Sequence, residues 1–283
     1  MTCPDLPKSR ILSSELPIKG LKRDYTLLHI TDVHMTLIEE TQSAQRKDTA
    51  RDRGNVLFTE DGIPAHERFA AFFSYAEAIG ADLILMTGDI IDMPSQKNID
   101  FLKKMIRTSP VKTFYVVGNH DWSFLDAYHS PEAKRRYLPA FSDISGGDTS
   151  FHFLEFDDFI LAGLDNSTDT FTKEQLARTK ALFLKGKPLL LAVHVPISSP
   201  LLAQKSREIW NGRNLCLGSD GIRCEATDAF LKSVLHPSSP MAAVIAGHLH
   251  LCCQEEIAPG ISQLVTSEGY NGTCRRITLK AIR

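Results

Sequence analysis

Five runs of uninterrupted apolar character recur along the chain: Tyr25–Ile30, Asp82–Thr87, Thr113–Val117, Pro188–Val193 and Met241–Ala246. Each is five or six residues long, and apolar character without alternation is the pattern of a strand covered on both faces. Helical patterns lie between several of them. His66–Ile79 repeats apolar residues at helical spacing and meets Gly80 where a helix would stop. Thr172 followed by Gln175 reads as a capping box opening a helix through about Leu184, and Asp228–Leu235 is a shorter candidate. Strands that alternate with helices predict a layered α/β domain.

Two further pairs of apolar runs read as hairpins. Phe151–Phe156 and Phe159–Leu164 flank Asp157-Asp158, while Gln263–Ser267 and Thr273–Ala281 flank Tyr270-Asn271-Gly272. Asn-Gly is a strong hairpin-turn signal, so the second pair is expected to be joined there. Met35–Ile63 is polar and matches neither period. A loop of that length inside a compact domain is functional or mobile in most proteins.

Composition narrows the class without identifying it. The 283 residues are 43% hydrophobic and 23% charged, which suits a single globular α/β domain spanning 1–283. A net charge of −2 and a pI near 6.6 give no global basic field, so small molecules are favoured over nucleic acid as partners. Residues 1–22 contain no signal-peptide core and no run is apolar enough to span a membrane, so a cytoplasmic protein is expected. The six cysteines, at 3, 216, 224, 252, 253 and 274, form no C-x-x-C pair and read as reduced thiols. Cys252 and Cys253 follow a His-rich stretch; they are either thiolate ligands or small buried hydrophobes.

The chemistry sits just past the five apolar runs. In order come Thr31-Asp32-Val33-His34, Gly88-Asp89-Ile90-Ile91-Asp92, Gly118-Asn119-His120-Asp121, His194-Val195-Pro196 and Gly247-His248-Leu249-His250. Singly, such an Asp or Asn is a turn former and such a His a structural hydrogen-bonder. Together they occupy the C-terminal edge of a sheet, where ligand sites of α/β proteins gather. Asp32, His34, Asp89, Asn119, His194, His248 and His250 would then converge, at a cost of about 1–3 kcal/mol for each unsatisfied polar group. Bound cations remove that cost. Mixed oxygen and imidazole donors suit manganese, iron or zinc better than calcium or magnesium. Seven donors exceed one tetrahedral zinc and suit two ions sharing a carboxylate.

The series D-x-H, G-D-x-x-D, G-N-H-D, a lone His and G-H-x-H resembles the calcineurin-like metallophosphoesterase superfamily. It runs from Tyr25 to His250 with every motif complete. The resemblance implies the metallo-dependent phosphatase fold, a four-layer α-β-β-α sandwich of two mixed sheets flanked by helices. It implies that Asp32, His34 and His250 hold one metal, that Asn119, His194 and His248 hold a second, and that Asp89 bridges them. His120 would assist the leaving group, and Asp92 would orient His120. The expected activity is hydrolysis of a small phosphate ester, in particular a phosphodiester, by water activated at a dinuclear centre. A nuclease and a non-catalytic scaffold are the competing readings. The nuclease would need a basic path to the metals.

Two segments are candidates for specificity. In Met35–Ile63, Arg46, Lys47, Arg51 and Arg53 either meet a substrate anion, Arg53 foremost, or form a solvated face with the interleaved Asp48, Asp52 and Glu60. Ser198–Cys224 follows His194 and is placed to roof the site, where Trp210 either stacks on a substrate ring or packs into the core.

Overall fold

A computed structural model describes residues 6–57, 62–125, 130–219 and 224–282. Among these, the strands in chain order are β1 (Ile11–Lys19), β2 (Tyr25–Ile30), β3 (Leu83–Thr87), β4 (Thr113–Val116), β5 (Phe151–Glu155), β6 (Ile160–Leu164), β7 (Leu189–Ala192), β8 (Met241–Ala246), β9 (Cys253–Ala258), β10 (Ile261–Val265) and β11 (Cys274–Ile282). All five expected apolar runs are therefore strands. They divide into a sheet ordered β1-β11-β2-β3-β4 and a second ordered β5-β6-β7-β8-β10-β9. Both are mixed: β2, β3 and β4 run parallel beside an antiparallel β11, and β6, β7, β8 and β10 run parallel between antiparallel β5 and β9.

Side chains of a strand alternate between faces, and here each face has its own core. Leu27, Leu85 and Val116 of the first sheet meet Leu161, Leu190 and Ile245 of the second in a central layer. Their neighbours Leu28, Ile84 and Met86 point outward onto Phe69, Phe72 and Leu102. Those come from α2 (Ala65–Ala78) and α3 (Gln96–Thr108), while α1 (Ala44–Val56) lies in the segment before them. Past α4 (Pro131–Tyr137), α5 (Lys173–Phe183) and α7 (Glu225–Val234) cover the second sheet's outer face through Leu182, Phe230 and Val234, with α6 (Pro200–Ile209) between them in sequence. Two mixed sheets flanked by helices follow directly from strands greasy on both faces. Phe72 is fully buried; truncating such a residue to Ala costs about 3–5 kcal/mol.

The Thr172 capping box is present, with Thr172 and Gln175 satisfying each other's backbone N–H groups as expected. The β5–β6 hairpin also forms. The second expected hairpin does not. β10 stays in the second sheet, pairing with β8 and β9, while β11 crosses to the first and pairs with β1 and β2. Asn271-Gly272 is still a turn, with Gly272 at φ 89°, but it carries the chain between sheets. β10 finds its antiparallel partner in β9 instead, across a turn at Gly260 (φ 76°). The polar stretch after Met35 contains α1, whose buried surface is limited to Ala50, which explains its lack of apolar periodicity. Glu60 and residues 220–223 lie outside the described residues, as does Cys3.

Candidate metal centre

The loops after β2, β3, β4, β7 and β8 meet at one rim. Asp32 N and His34 N donate to the carbonyls of Gly88 and Asp89, and Gly247 N donates to the carbonyl of His194. The close approach of these loops excludes side chains at two places: a Cβ on Gly118 would collide with Asp89, and one on Gly247 with Thr31 and Asp32. Five of the seven non-glycine residues described at positive φ are Asp32, His34, Asp89, His248 and His250. The left-handed region is sparsely used by such residues, and its concentration here turns five side chains toward one point.

The seven expected donors are gathered there. Asp32, His34 and His250 form one set whose ligand atoms lie within 4.8 Å of one another, and Asp89, His194 and His248 form another. In the first, His34 Nε2 is 3.2 Å from His250 Nε2, and Asp32 Oδ1 is 3.4 Å from His250 Nε2. In the second, His194 Nε2 is 3.2 Å from His248 Nδ1 and 3.1 Å from both Asn119 Oδ1 and Asp89 Oδ2. Asp89 Oδ2 is also 3.9 Å from His34 Nε2, so this oxygen stands between the two sets. His120 joins His34 and Asp89 in a third such set.

These residues fit cations. Asp32 Oδ2 accepts from Thr31 Oγ1 (2.7 Å) and from His248 N (2.9 Å), while the buried Oδ1 is left without a hydrogen-bond partner and faces the imidazoles. Imidazole nitrogens 3.2 Å apart in both sets repel unless a proton or a cation lies between them. The protonation pattern shows the same crowding. Burial pushes His248 down to about 3, with His194 adding to it, whereas at His194 burial is overcome by Asp89, Asp32 and the Thr87 carbonyl together, which raise it to about 10. Asp89 and Asp32 sit below their ordinary values, because facing histidines overcome the cost of burial.

Around this centre the orienting contacts are dense. His194 Nδ1 donates to the Thr87 carbonyl (2.8 Å), which fixes Nε2 as the inward atom. Asp92 is fully buried; its Oδ1 accepts from His34 Nδ1 (2.8 Å) and stands 3.1 Å from His120 Nδ1. Burial would raise Asp92, but its bonds to Arg53, His120 and His34 hold it far below the usual carboxylate range. His120 is raised, since Asp89 and Asp92 outweigh burial.

Of the specificity candidates, Arg53 and Trp210 line a cavity of about 600 Å³ together with His34, His120, Arg213 and Tyr270. Arg53 makes a two-pronged contact with Asp92, Nε to Oδ2 and Nη2 to Oδ1, both 2.7 Å. Trp210 is half-buried, donates Nε1 to the Leu249 carbonyl (3.0 Å) and has its ring 5.7 Å from that of His250. Cys253 packs with Leu202 and Val265 as a small hydrophobe, Cys252 is exposed, and neither is in a described donor set.

Three residues at the site escaped the sequence reading. Asp121 is buried and accepts from the backbone of Asp89, Ile91 and Gly118 (2.9, 3.0 and 2.7 Å), tying two ligand loops together. Its signal was its place in the Gly118–Asp121 cluster. Asn166 Oδ1 accepts from His194 N and Val195 N (3.1 and 3.0 Å), and it follows β6 in a polar cluster like the other five. Tyr270 packs its ring 5.8 Å from His250. No local signal marked it, because its placement depends on the crossing between sheets.

A family model described as calcineurin-like phosphoesterase matches residues 25–252. The chain belongs to that family. Membership implies divalent metal ions, which the donor sets accommodate. A curated relative from Moraxella catarrhalis (strain BBH18), named a "probable cyclic nucleotide phosphodiesterase", is 29% identical over 80 residues. That stretch covers 28% of this chain and only 29% of the relative. Among solved structures, a dimetal phosphatase from Danio rerio aligns with TM-score 0.54 at 17% identity, covering 88% of this chain and 89% of that one. At that identity the likeness supports the fold, and the fold is the expected sandwich. No described helix is long and apolar enough to cross a membrane.

Proposed function

We propose that this chain is a dinuclear metallophosphoesterase that hydrolyses small phosphodiesters in preference to monoesters, acting as one unit in the cytoplasm. The observation that carries the reading is Asp89 Oδ2 standing between two His-containing donor sets, with His120 beside both. Asp32, His34 and His250 would hold one ion and Asn119, His194 and His248 the other, with Asp89 within reach of both; manganese, iron and zinc suit these donors. Bound there, the ions would supply Lewis acidity, lowering the pKa of water and offsetting the charge of the phosphate.

The chain's own residues do the rest. His120 directs Nδ1 at Asp92 (3.1 Å), so the proton it exchanges with a leaving-group oxygen sits on Nε2. Its proton affinity is raised, because Asp89 and Asp92 together outweigh burial, which suits a proton-donating role. Asp92, fixed in the core, holds the imidazole in one tautomer. Trp210 and Tyr270 form an apolar wall beside His250, suited to an ester bearing a ring. The name of the Moraxella relative supports the diester preference and ring-bearing substrates, though the match is short.

The test is turnover of bis-p-nitrophenyl phosphate against p-nitrophenyl phosphate by manganese-loaded protein. Faster release from the diester is expected. Absence of turnover with either substrate, two metals per chain being bound, would overturn the hydrolase reading.

A further inference from the structure

We propose that Arg53, on the polar helix α1, is a positioning residue for catalysis: it clamps the Asp92 carboxylate so that one oxygen serves both His34 and His120. The inference rests on the hydrolase reading above and extends it to a residue outside the family's motif series.

Four observations meet on this residue. The Asp92 carboxylate is fully buried, and a buried carboxylate needs a partner of fixed charge. His34 and His120 carry no fixed charge, and both place Nδ1 beside the same oxygen, Oδ1, at 2.8 and 3.1 Å. Among the described residues, Arg53 alone touches both oxygens, at 2.7 Å each. A guanidinium fork lying along a carboxylate fixes its plane as well as its charge. With the plane set, Oδ1 is presented to two imidazoles whose rings meet edge to face at 4.7 Å.

Little apolar burial anchors the helix that carries Arg53. Ala50 is its one buried residue, and it packs in a small cluster with Met93 and Phe124. Arg46 lies over the Phe124 ring at 3.8 Å. A helix of 13 residues with so little apolar contact is marginal by itself. Its contribution is to deliver a cation to Asp92 while Arg53, Val56 and Leu57 close one side of the cavity. Direct capture of the substrate phosphate by Arg53 is the rival role. The two-pronged contact with Asp92 commits the guanidinium to the carboxylate instead.

The experiment compares wild type, Arg53→Ala, Arg53→Lys and His120→Ala as zinc- or manganese-loaded full-length proteins. Turnover of bis-p-nitrophenyl phosphate, metal content, melting temperature and the low-field imidazole N–H proton resonances of the zinc form are measured. For Arg53→Ala, kcat is expected to fall about 10–100-fold, as for other residues that orient metal-site histidines, with KM nearly unchanged and two metals retained. The N–H resonances of His34 and His120 should broaden or vanish. Guanidinium ion added to the solution should restore part of the kcat of Arg53→Ala and none of that of His120→Ala. Arg53→Lys keeps the charge but loses the fork, so its kcat should lie in between at an unchanged melting temperature. A raised KM with intact kcat in Arg53→Ala would assign the guanidinium to the substrate and overturn the proposal. If Arg53→Ala does not fold, wild-type kcat and imidazole resonances in Arg53→Lys overturn it equally. An inactive metal-loaded wild type sinks the hydrolase reading and this inference with it, whereas an active wild type matched by Arg53→Ala sinks the inference alone.

Discussion

Asp89 and His194 face each other at 3.1 Å from different sheets, Asp89 just past β3 of the first and His194 just past β7 of the second. The same seam is crossed by His194 Nδ1 on the Thr87 carbonyl and by His248 N on Asp32 Oδ2. The donor sets therefore exist only when the two sheets are packed, and ions bound there would tie the halves of the sandwich together.

Metal removal should then destabilise the whole fold. A ligand that binds only the native state adds about 2.7 kcal/mol at a hundredfold excess over its Kd. For a chain of 283 residues, each kcal/mol moves the midpoint by a few degrees, on the order of 2–4 °C. Scanning calorimetry with and without chelator should show a lower Tm in the stripped protein, recovered on adding manganese. Identical midpoints would mean that no ion links the sheets.

Removing Asp89 and removing His120 should separate binding from catalysis. Asp89 Oδ2 stands between both donor sets, so Asp89→Ala is expected to lose metal and activity together. His120 faces Asp92 and the cavity; His120→Ala should keep two ions while kcat drops about 10²–10⁴-fold, the usual worth of a general acid. Metal analysis beside kinetics decides it. An emptied His120→Ala and a loaded Asp89→Ala would reverse the roles, and His120 does share a potential donor set with His34 and Asp89.

Most of the sandwich was legible in the sequence, and so was the gathering of the seven candidate donors at one rim, because both depend on local pattern. Strands buried on two faces are continuous apolar runs, and each ends in one of the polar clusters that meet at the rim. What failed depends on partner choice. Gln263–Ser267 and Thr273–Ala281 carry the signature of a hairpin, yet β10 and β11 end in different sheets, since β9 and β1 offer each a neighbour the local sequence does not reveal. Tyr270 was missed for that reason. Arg53 was singled out among interleaved charges, but its partner Asp92 lies 39 residues further on, and only the fold pairs them.

Gly118→Ala should damage the centre with no charge altered. A Cβ at this position would overlap the Asp89 carboxylate and backbone nitrogen, neither of which can retreat, because Asp121 pins Asp89 N at 2.9 Å. Overpacking of this kind costs about 1–3 kcal/mol, and here the displaced group is the carboxylate standing between the two donor sets. Reduced metal content is expected alongside a lower Tm. A variant with full metal occupancy and wild-type turnover would show that the loops have room that the geometry denies.

Acid stability should carry the mark of His152, which belongs to none of the described donor sets. Its ring packs on Phe114 (centroids 4.5 Å apart), both ring nitrogens are buried without hydrogen-bond partners, and burial pushes it down to about 4. The unfolded chain takes up a proton at this histidine near pH 6.5, whereas the native state resists it down to about 4. Native stability is thus fully present above pH 6.5 and is lost as pH falls through the window toward 4, at up to about 1.4 kcal/mol per pH unit for this one group. His152→Phe has nothing to protonate. Urea unfolding of both proteins at pH 7.0, 6.0 and 5.0, with metal conditions matched, should show the wild type losing ground to the variant by about 2 kcal/mol at pH 5.0. The matching cancels the titration of the metal-centre histidines and of His29, which burial holds down to about 3 in both proteins. A difference that stays constant across the three pH values would mean that His152 is protonated in the folded protein, contrary to its unsatisfied, ring-stacked surroundings.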